Sequence, residues 1–318
     1  MDYRGGAVER VMLRLGSWVL GLGLIAAVTP LCAFAAAATT TVAPKAILVT
    51  GASTGIGRKI TEHLAADGYF VYAGARKDED LKALSALKNV QGVRLDVTKQ
   101  SDIDAAVETV KKGGRGLYGL VNNAGIYSGA TIAQTSLEEF DLVVAVNIAG
   151  PWRMARAFEP LIAASKGCIT NIGSISGILA DSGESAYDMS KHAIEGFTDS
   201  LAYETAPLGI KVSIVEPGSY NSNIIQNAAR RAGQAVKPEE GHDGKEPDEV
   251  AVAVEQALSE SNPKRRYLVV PERQQADITI ETQIQQLVQL NEGQPYTLDR
   301  DALVKLLDKA LAHSRPKT

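Results

Sequence analysis

Tyr187 and Lys191 stand four residues apart in Tyr187-Asp-Met-Ser-Lys191. On a helix that spacing puts a phenol and an ammonium on one face. A free tyrosine titrates near about 10. A close ammonium favours the phenolate and lowers that value, so such a phenol gives or takes a proton nearer neutral pH. Alone, the pair is common on helices and carries no chemistry. Ser174 lies in Asn171-Ile-Gly-Ser-Ile-Ser176, just after an apolar run. Its hydroxyl would hold a substrate oxygen in place, and Ser176 competes for that role.

A second pattern is Thr50-Gly-Ala-Ser-Thr-Gly-Ile-Gly57. Gly51 allows a tight turn, Gly55 lets the backbone approach a pyrophosphate, and Gly57 permits close helix–strand packing. The following helix N-terminus offers free N–H groups and partial positive charge to phosphates. Ser53 and Ile56 belong to the same loop. A lone glycine pattern is weak, but its place between an apolar strand and a helix is the one the chemistry needs. NAD binders set an acid after the second strand, against the ribose hydroxyls. Here that strand ends Ala75-Arg76-Lys77. A guanidinium pairs well with a 2′-phosphate, so Arg76 points to NADP(H) over NAD(H). Asp78, Glu79 and Asp80 read as acids at the next helix N-terminus.

The elements that must position these residues alternate. Apolar runs at Ala46–Thr50, Tyr69–Ala73, Val93–Leu95, Gly119–Asn122, Cys168–Ile172, Lys211–Val215 and Arg266–Val270 predict seven strands. Helical patterns fall at Arg58–Asp67, Asp80–Leu87, Ser101–Lys111, Leu137–Phe158 and Ala186–Ala206. Such alternation predicts an α/β, Rossmann-type doubly wound parallel sheet with right-handed crossovers. The Pro/Gly-rich stretch Val236–Asp248 reads as a mobile loop. Apolar residues at 280, 284, 287 and 288, and at 303, 306, 307, 310 and 311, predict two amphipathic C-terminal helices. They would cover the substrate cleft, form a subunit interface or pack on the core.

The 318 residues are 22% charged with a net charge of -4. A mildly acidic chain argues against nucleic-acid binding. The histidines, His63, His192, His242 and His313, make no metal spacing, and two cysteines make no metal cage. No metal is expected. Residues 1–43 differ from the rest: Arg4, Arg10 and Arg14 precede an uncharged run from Leu15 to Ala43, with a small-x-small Ala33-Phe-Ala35. They read as a secretory signal peptide, with Met12 as another start. The alternative is an uncleaved membrane anchor through residues 15–38, since about 20 apolar residues span a bilayer. Export to the periplasm or outside, or membrane anchoring, follows. If the segment is removed, Cys168 is the only thiol.

With these motifs in order, the chain resembles the short-chain dehydrogenase/reductase family in its single-domain form. The resemblance runs from about residue 45 to about 270. It adds Asp96 after the third strand, Asn122-Asn-Ala-Gly125 after the fourth, Asn147, and Pro217-Gly218. The 13-residue step from Ser174 to Tyr187 favours Ser174 over Ser176. The resemblance implies that Tyr187 is the acid/base, Lys191 lowers its pKa and binds the nicotinamide ribose, and Ser174 orients the carbonyl or alcohol. It implies that Asn147 holds a water beside Lys191. Asp96 and Val97 contact adenine, Asn123 and Gly125 line the ribose region, and Pro217 and Gly218 abut the nicotinamide. Ser222 stands where members often have Thr. Tyr220, Ile224 and Ile225 either line the substrate pocket or make loop contacts. The expected chain thus has a catalytic domain at 44–271 and a helical extension at 272–318. It would interconvert a small alcohol and a carbonyl compound, as a homo-oligomer. The competing expectation is a non-catalytic dinucleotide sensor or scaffold.

Overall fold

In the computed structural model, which describes residues 44–235 and 244–314, each predicted strand forms. They are β1 (Ala46–Val49), β2 (Phe70–Ala75), β3 (Val90–Arg94), β4 (Gly119–Asn122), β5 (Cys168–Ile172), β6 (Lys211–Pro217) and β7 (Arg266–Val269). The helices are α1 (Gly55–Ala66), α2 (Asp78–Ser85), α3 (Gln100–Lys112), α4 (Leu137–Val143), α5 (Gly150–Ser165), α6 (Ser185–Thr205), α7 (Ile224–Arg231), α8 (Asp248–Ser259), α9 (Arg273–Asn291) and α10 (Arg300–Ser314). Residues 43–318 make one unit and 1–42 another. The signal or anchor expectation lies outside the described residues.

All strands are parallel, in the order β3-β2-β1-β4-β5-β6-β7. The order reverses between β1 and β4, and a crevice opens beyond the strand ends at such a switch point. The all-apolar strand β1 has both faces covered, which is why it shows no alternation. Ile47 and Val49 enter a core with Ile60, Leu64, Val254 and Leu258. Leu48 enters the opposite core with Ile103, Met154, Phe158 and Ile162.

Two departures from the sequence reading have physical causes. The single helix expected at Leu137–Phe158 is broken by a π-helical turn, Val144–Ala149, and Pro151 starts α5. That wider turn carries Asn147 into the interior. On α5, Trp152 is half exposed, with Arg156 5.4 Å from its ring. Helix α8, not expected, packs on α1 through Val250, Val254 and Leu258. Its signals were present: Asp248 and Glu249 in the first turn after Pro247.

The C-terminal helices form, but their apolar residues do not face the core. Ile280, Ile284, Leu287 and Val288 of α9 are each about half exposed, as are Leu306 and Leu307 of α10. Helix α9 docks instead through polar groups. Thr279 is fully buried, Gln275 accepts from Ser219 N at 3.0 Å, and Gln286 donates to Ile178 O at 3.2 Å. It therefore braces two loops beside the crevice.

Candidate active site

The crevice is a cleft of about 670 Å³. It is lined at one end by Gly51, Ser53, Gly55, Ile56, Gly57, Arg76, Asp96, Val97, Asn123 and Gly125. Ser174, Tyr187, Lys191, Pro217 and Gly218 line the other, and Ser222 lines the cleft beside Gly55. One sequence-chosen residue is absent from this wall: Asn147.

The glycine loop is held by the ends of β1 and β4. Thr50 Oγ1 accepts from Asn123 N at 3.0 Å and Ala124 N at 2.9 Å. The Asn123 amide donates to Thr50 O and Gly51 O at 2.9 and 3.1 Å. Gly51 and Gly55 have φ of +65° and +54°, the left-handed region where a side chain is strained. A Cβ on Gly57 would collide with the Asn123 amide and the Gly51 carbonyl. Helix α1 begins at this loop with no side-chain cap and no acid in its first turn, which leaves its positive end for an anion. Bare backbone and an uncapped helix start fit the pyrophosphate of a dinucleotide.

Beyond β2, Arg76 lines the cleft while Lys77 turns away to pair with Glu79 at 3.7 Å. Arg94 donates to the Arg76 carbonyl at 2.5 Å and pairs with Asp78. Burial works against ionisation of Asp96. Two hydrogen bonds from Thr98 and the charges of Arg76 and Lys99 outweigh it and hold the carboxyl below its usual value.

At the other end, Ser174 sits at the exit of β5, and its Oγ accepts from Ser176 N at 3.1 Å. Its hydroxyl also opposes the rise of the Tyr187 pKa, which separates it from Ser176 as the serine beside the phenol. Lys191 lies on the same face of α6, its Nζ 5.6 Å from the Tyr187 ring centre. Lys191 Nζ donates to Ile172 O at 3.1 Å and Gly173 O at 3.0 Å. The expected fall in the phenol pKa is not found. Burial pushes Tyr187 up to about 12, with Ser174 opposing and Glu184 and Asp188 adding to the rise. Burial also brings Lys191 down to about 8. Main-chain carbonyls accept from the ammonium, and burial is nonetheless the largest influence on both groups.

Asn147 is buried, and its amide is engaged by its own chain. Oδ1 accepts from Ile126 N at 2.9 Å; Nδ2 donates to Ile126 O at 2.8 Å and Ser190 Oγ at 2.9 Å. It braces the segment after β4 against α6. A chain of amides, Asn122 to Asn171 and Asn171 to Thr198, each 2.9 Å, ties the strand ends to α6 from beneath.

The structure also brings in residues the sequence did not flag. Tyr127 lies edge-on to Tyr187, ring centres 5.1 Å apart, and donates to Glu184 Oε1 at 2.7 Å. Glu195, one turn past Lys191, is buried with Glu216 beside Arg266, at 3.2 and 3.6 Å. Burial and the Glu216 charge raise Glu195 to about 8 against the pull of Arg266. Tyr220, Ile224 and Ile225 line the cleft. His192 turns away, its Nδ1 2.9 Å from Asp188 O. No group of metal-ligating side chains occurs among the described residues.

A doubly wound parallel sheet with this loop and crevice defines a dinucleotide-binding α/β protein. A family model for short chain dehydrogenases matches residues 45–233. The chain belongs to that family. It is 38% identical over 195 residues to the mitochondrial D-beta-hydroxybutyrate dehydrogenase of Bos taurus, covering 58% of this chain and 57% of that one. The chain thus spans little more than half the length of that relative. It is 30% identical over 246 residues to a 3-ketodihydrosphingosine reductase of Bacteroides thetaiotaomicron, covering 72% of this chain and 88% of that one. A short-chain dehydrogenase from Streptomyces avermitilis superposes with a TM-score of 0.68 at 31% identity, over 78% of this chain and 96% of the other.

Proposed function

We propose that this chain interconverts a secondary alcohol and a ketone, using a nicotinamide dinucleotide. One observation carries the reading: Tyr187, beside Ser174 and Lys191, opens onto the same cleft as the glycine loop. The relatives' names place a hydroxyl and a keto group on their substrates, and the same two groups are proposed here. The glycine loop, Asp96, Val97, Pro217 and Gly218 would hold a nicotinamide dinucleotide, which would supply or accept hydride when bound. Ser174 orients the carbonyl oxygen toward the phenol. Tyr187 is a neutral phenol at pH 7 because burial holds its pKa up. In reduction it therefore donates its proton to the carbonyl oxygen. Lys191 is an ammonium below about 8, and its charge stabilises the phenolate left behind.

The preferred cofactor is NADP(H), supported by Arg76 on the cleft wall and the lack of an acid at the end of β2. A charge-assisted contact contributes roughly 1.5–3 kcal/mol, about ten- to a hundredfold in affinity. Titration of the full chain with NADPH and NADH checks this, and Arg76→Ala should narrow the gap. Equal dissociation constants in the unaltered chain would refute the preference. A screen of ketones and alcohols, followed by NADPH absorbance, tests the activity itself.

Residues 1 to about 35 are proposed to direct export, or to anchor the chain. The uncharged run from Leu15 supports this; no helix among the described residues is long and apolar enough to cross a membrane. Mass spectrometry of the native N-terminus separates the two. The exposed apolar residues of α9 and α10 support self-association.

A further inference from the structure

Among the described residues, the substrate end of the cleft carries two carboxylates against one ammonium, that of Lys191. Glu184 and Asp181 both line it. Glu184 is fixed rather than free: the Tyr127 hydroxyl donates to its Oε1 at 2.7 Å, and the Tyr127 ring abuts Tyr187. The Asp181 segment is fixed too, its N–H donating to Asp188 Oδ2 at 2.9 Å. Among the described residues, no lysine or arginine pairs with Glu184 or Asp181. Arg76 and Lys191 are the cations on the wall of the cleft. Arg76 stands at the end of β2, and Lys191 is bound to the carbonyls of Ile172 and Gly173. Arg231 approaches this side but is paired with Glu139 at 2.9 Å, and Lys245 is paired with Glu249 at 2.5 Å. The remaining wall here is apolar or uncharged, including Leu179 and Ile225.

We propose that Glu184 determines specificity by charge, so that the cleft takes uncharged alcohols and ketones and rejects carboxylates. This rests on the oxidoreductase reading above. A substrate carboxylate beside Tyr187 would face the like charges of Glu184 and Asp181, against the single ammonium of Lys191, which is held by the carbonyls of Ile172 and Gly173. Discrimination of this kind comes from the unfavourable contact with the wrong ligand as much as from contacts with the right one. The carboxylate of Glu184 acts on the phenol as well, since its charge adds to the rise of Tyr187.

The test compares acetoacetate with methyl acetoacetate, which share the reacting ketone and differ in charge. With the full chain and NADPH, kcat/KM for the ester should exceed that for the acid by at least about tenfold. Added salt should shrink the ratio. Glu184→Gln keeps an acceptor for Tyr127 while removing the charge, and should shrink the ratio mainly by raising turnover of acetoacetate. Equal use of the two ketones, or a ratio unmoved by Glu184→Gln, overturns the proposal. If neither ketone is reduced, the oxidoreductase reading fails for this substrate pair, and calorimetric binding decides the charge rule alone. Acetoacetate binding no more weakly than the ester then overturns it.

Discussion

At the dinucleotide end of the cleft the wall is largely main chain. Gly51 and Gly55 turn through left-handed φ, and Gly57 lets α1 close on the strand ends. At the substrate end the wall is side chains on loops and helix starts: Tyr127, Glu184, Tyr220 and Ile225. A backbone-shaped site depends on residues that lack a side chain, and their spacing is visible in any register. A side-chain-built site depends on which loops meet. Here that meeting is arranged by α9, through Gln275 on Ser219 and Gln286 on Ile178.

The largest effect that would separate the two ends is Tyr187→Phe. It removes a proton donor and leaves the ring against Tyr127. Acid–base help is typically worth about 10²–10⁴ in rate, so turnover should fall by that much while NADPH binding persists. Near-normal turnover in the variant would remove Tyr187 from the mechanism.

Gly57→Ala should act in the opposite sense. Its methyl would displace the Asn123 amide and the Gly51 carbonyl, so dinucleotide affinity should drop at least about tenfold, with melting temperature lowered as well. Unchanged NADPH affinity would show that the loop tolerates the shift and that the backbone cradle is less strict than its geometry implies.

A smaller effect concerns the carboxyl pair beneath the substrate end. Glu195 is raised to about 8 in the folded chain, first by burial and then by Glu216. A carboxyl raised on folding favours the protonated form. Its contribution to stability is complete below the unfolded value near 4.5 and is lost as pH rises through about 8. Unfolding free energy should therefore decline between about pH 5 and 8, and Glu195→Gln should flatten that decline. Denaturant melts across that range measure it. An identical slope in the variant would mean that Glu195 does not titrate there.

Much of the fold was legible because its signals are local. Apolar runs of three to five residues between glycines and helical patterns marked all seven strands, and Thr50–Gly57, Tyr187 and Lys191 were singled out by spacing and joined into one site by the family resemblance. Ser174 was chosen over Ser176 by its 13-residue step to Tyr187, and the structure puts Ser174 beside the phenol. Local pattern failed where a distant element decided the outcome. The apolar residues of α9 left cleft cover, subunit interface and core packing equally open, and the helix docks through Thr279 and its glutamines because the adjoining loops offer it a carbonyl and an N–H. A π-helical turn directs the Asn147 amide to Ile126 and Ser190, partners that spacing along the chain does not indicate.

By itself, the sequence determined the alternation of strands and helices, the glycine turn, and the pairing of a phenol with an amine one helical turn away. Those depend on contacts within a few residues. Only the tertiary structure decided the electrostatics. Lys191 is engaged by β5 carbonyls, Tyr187 is buried enough for desolvation to outweigh the nearby ammonium, and Glu184 is fixed by a tyrosine 57 residues earlier in the chain. Burial and charge proximity are properties of the packed cleft, and no spacing along the chain encodes them.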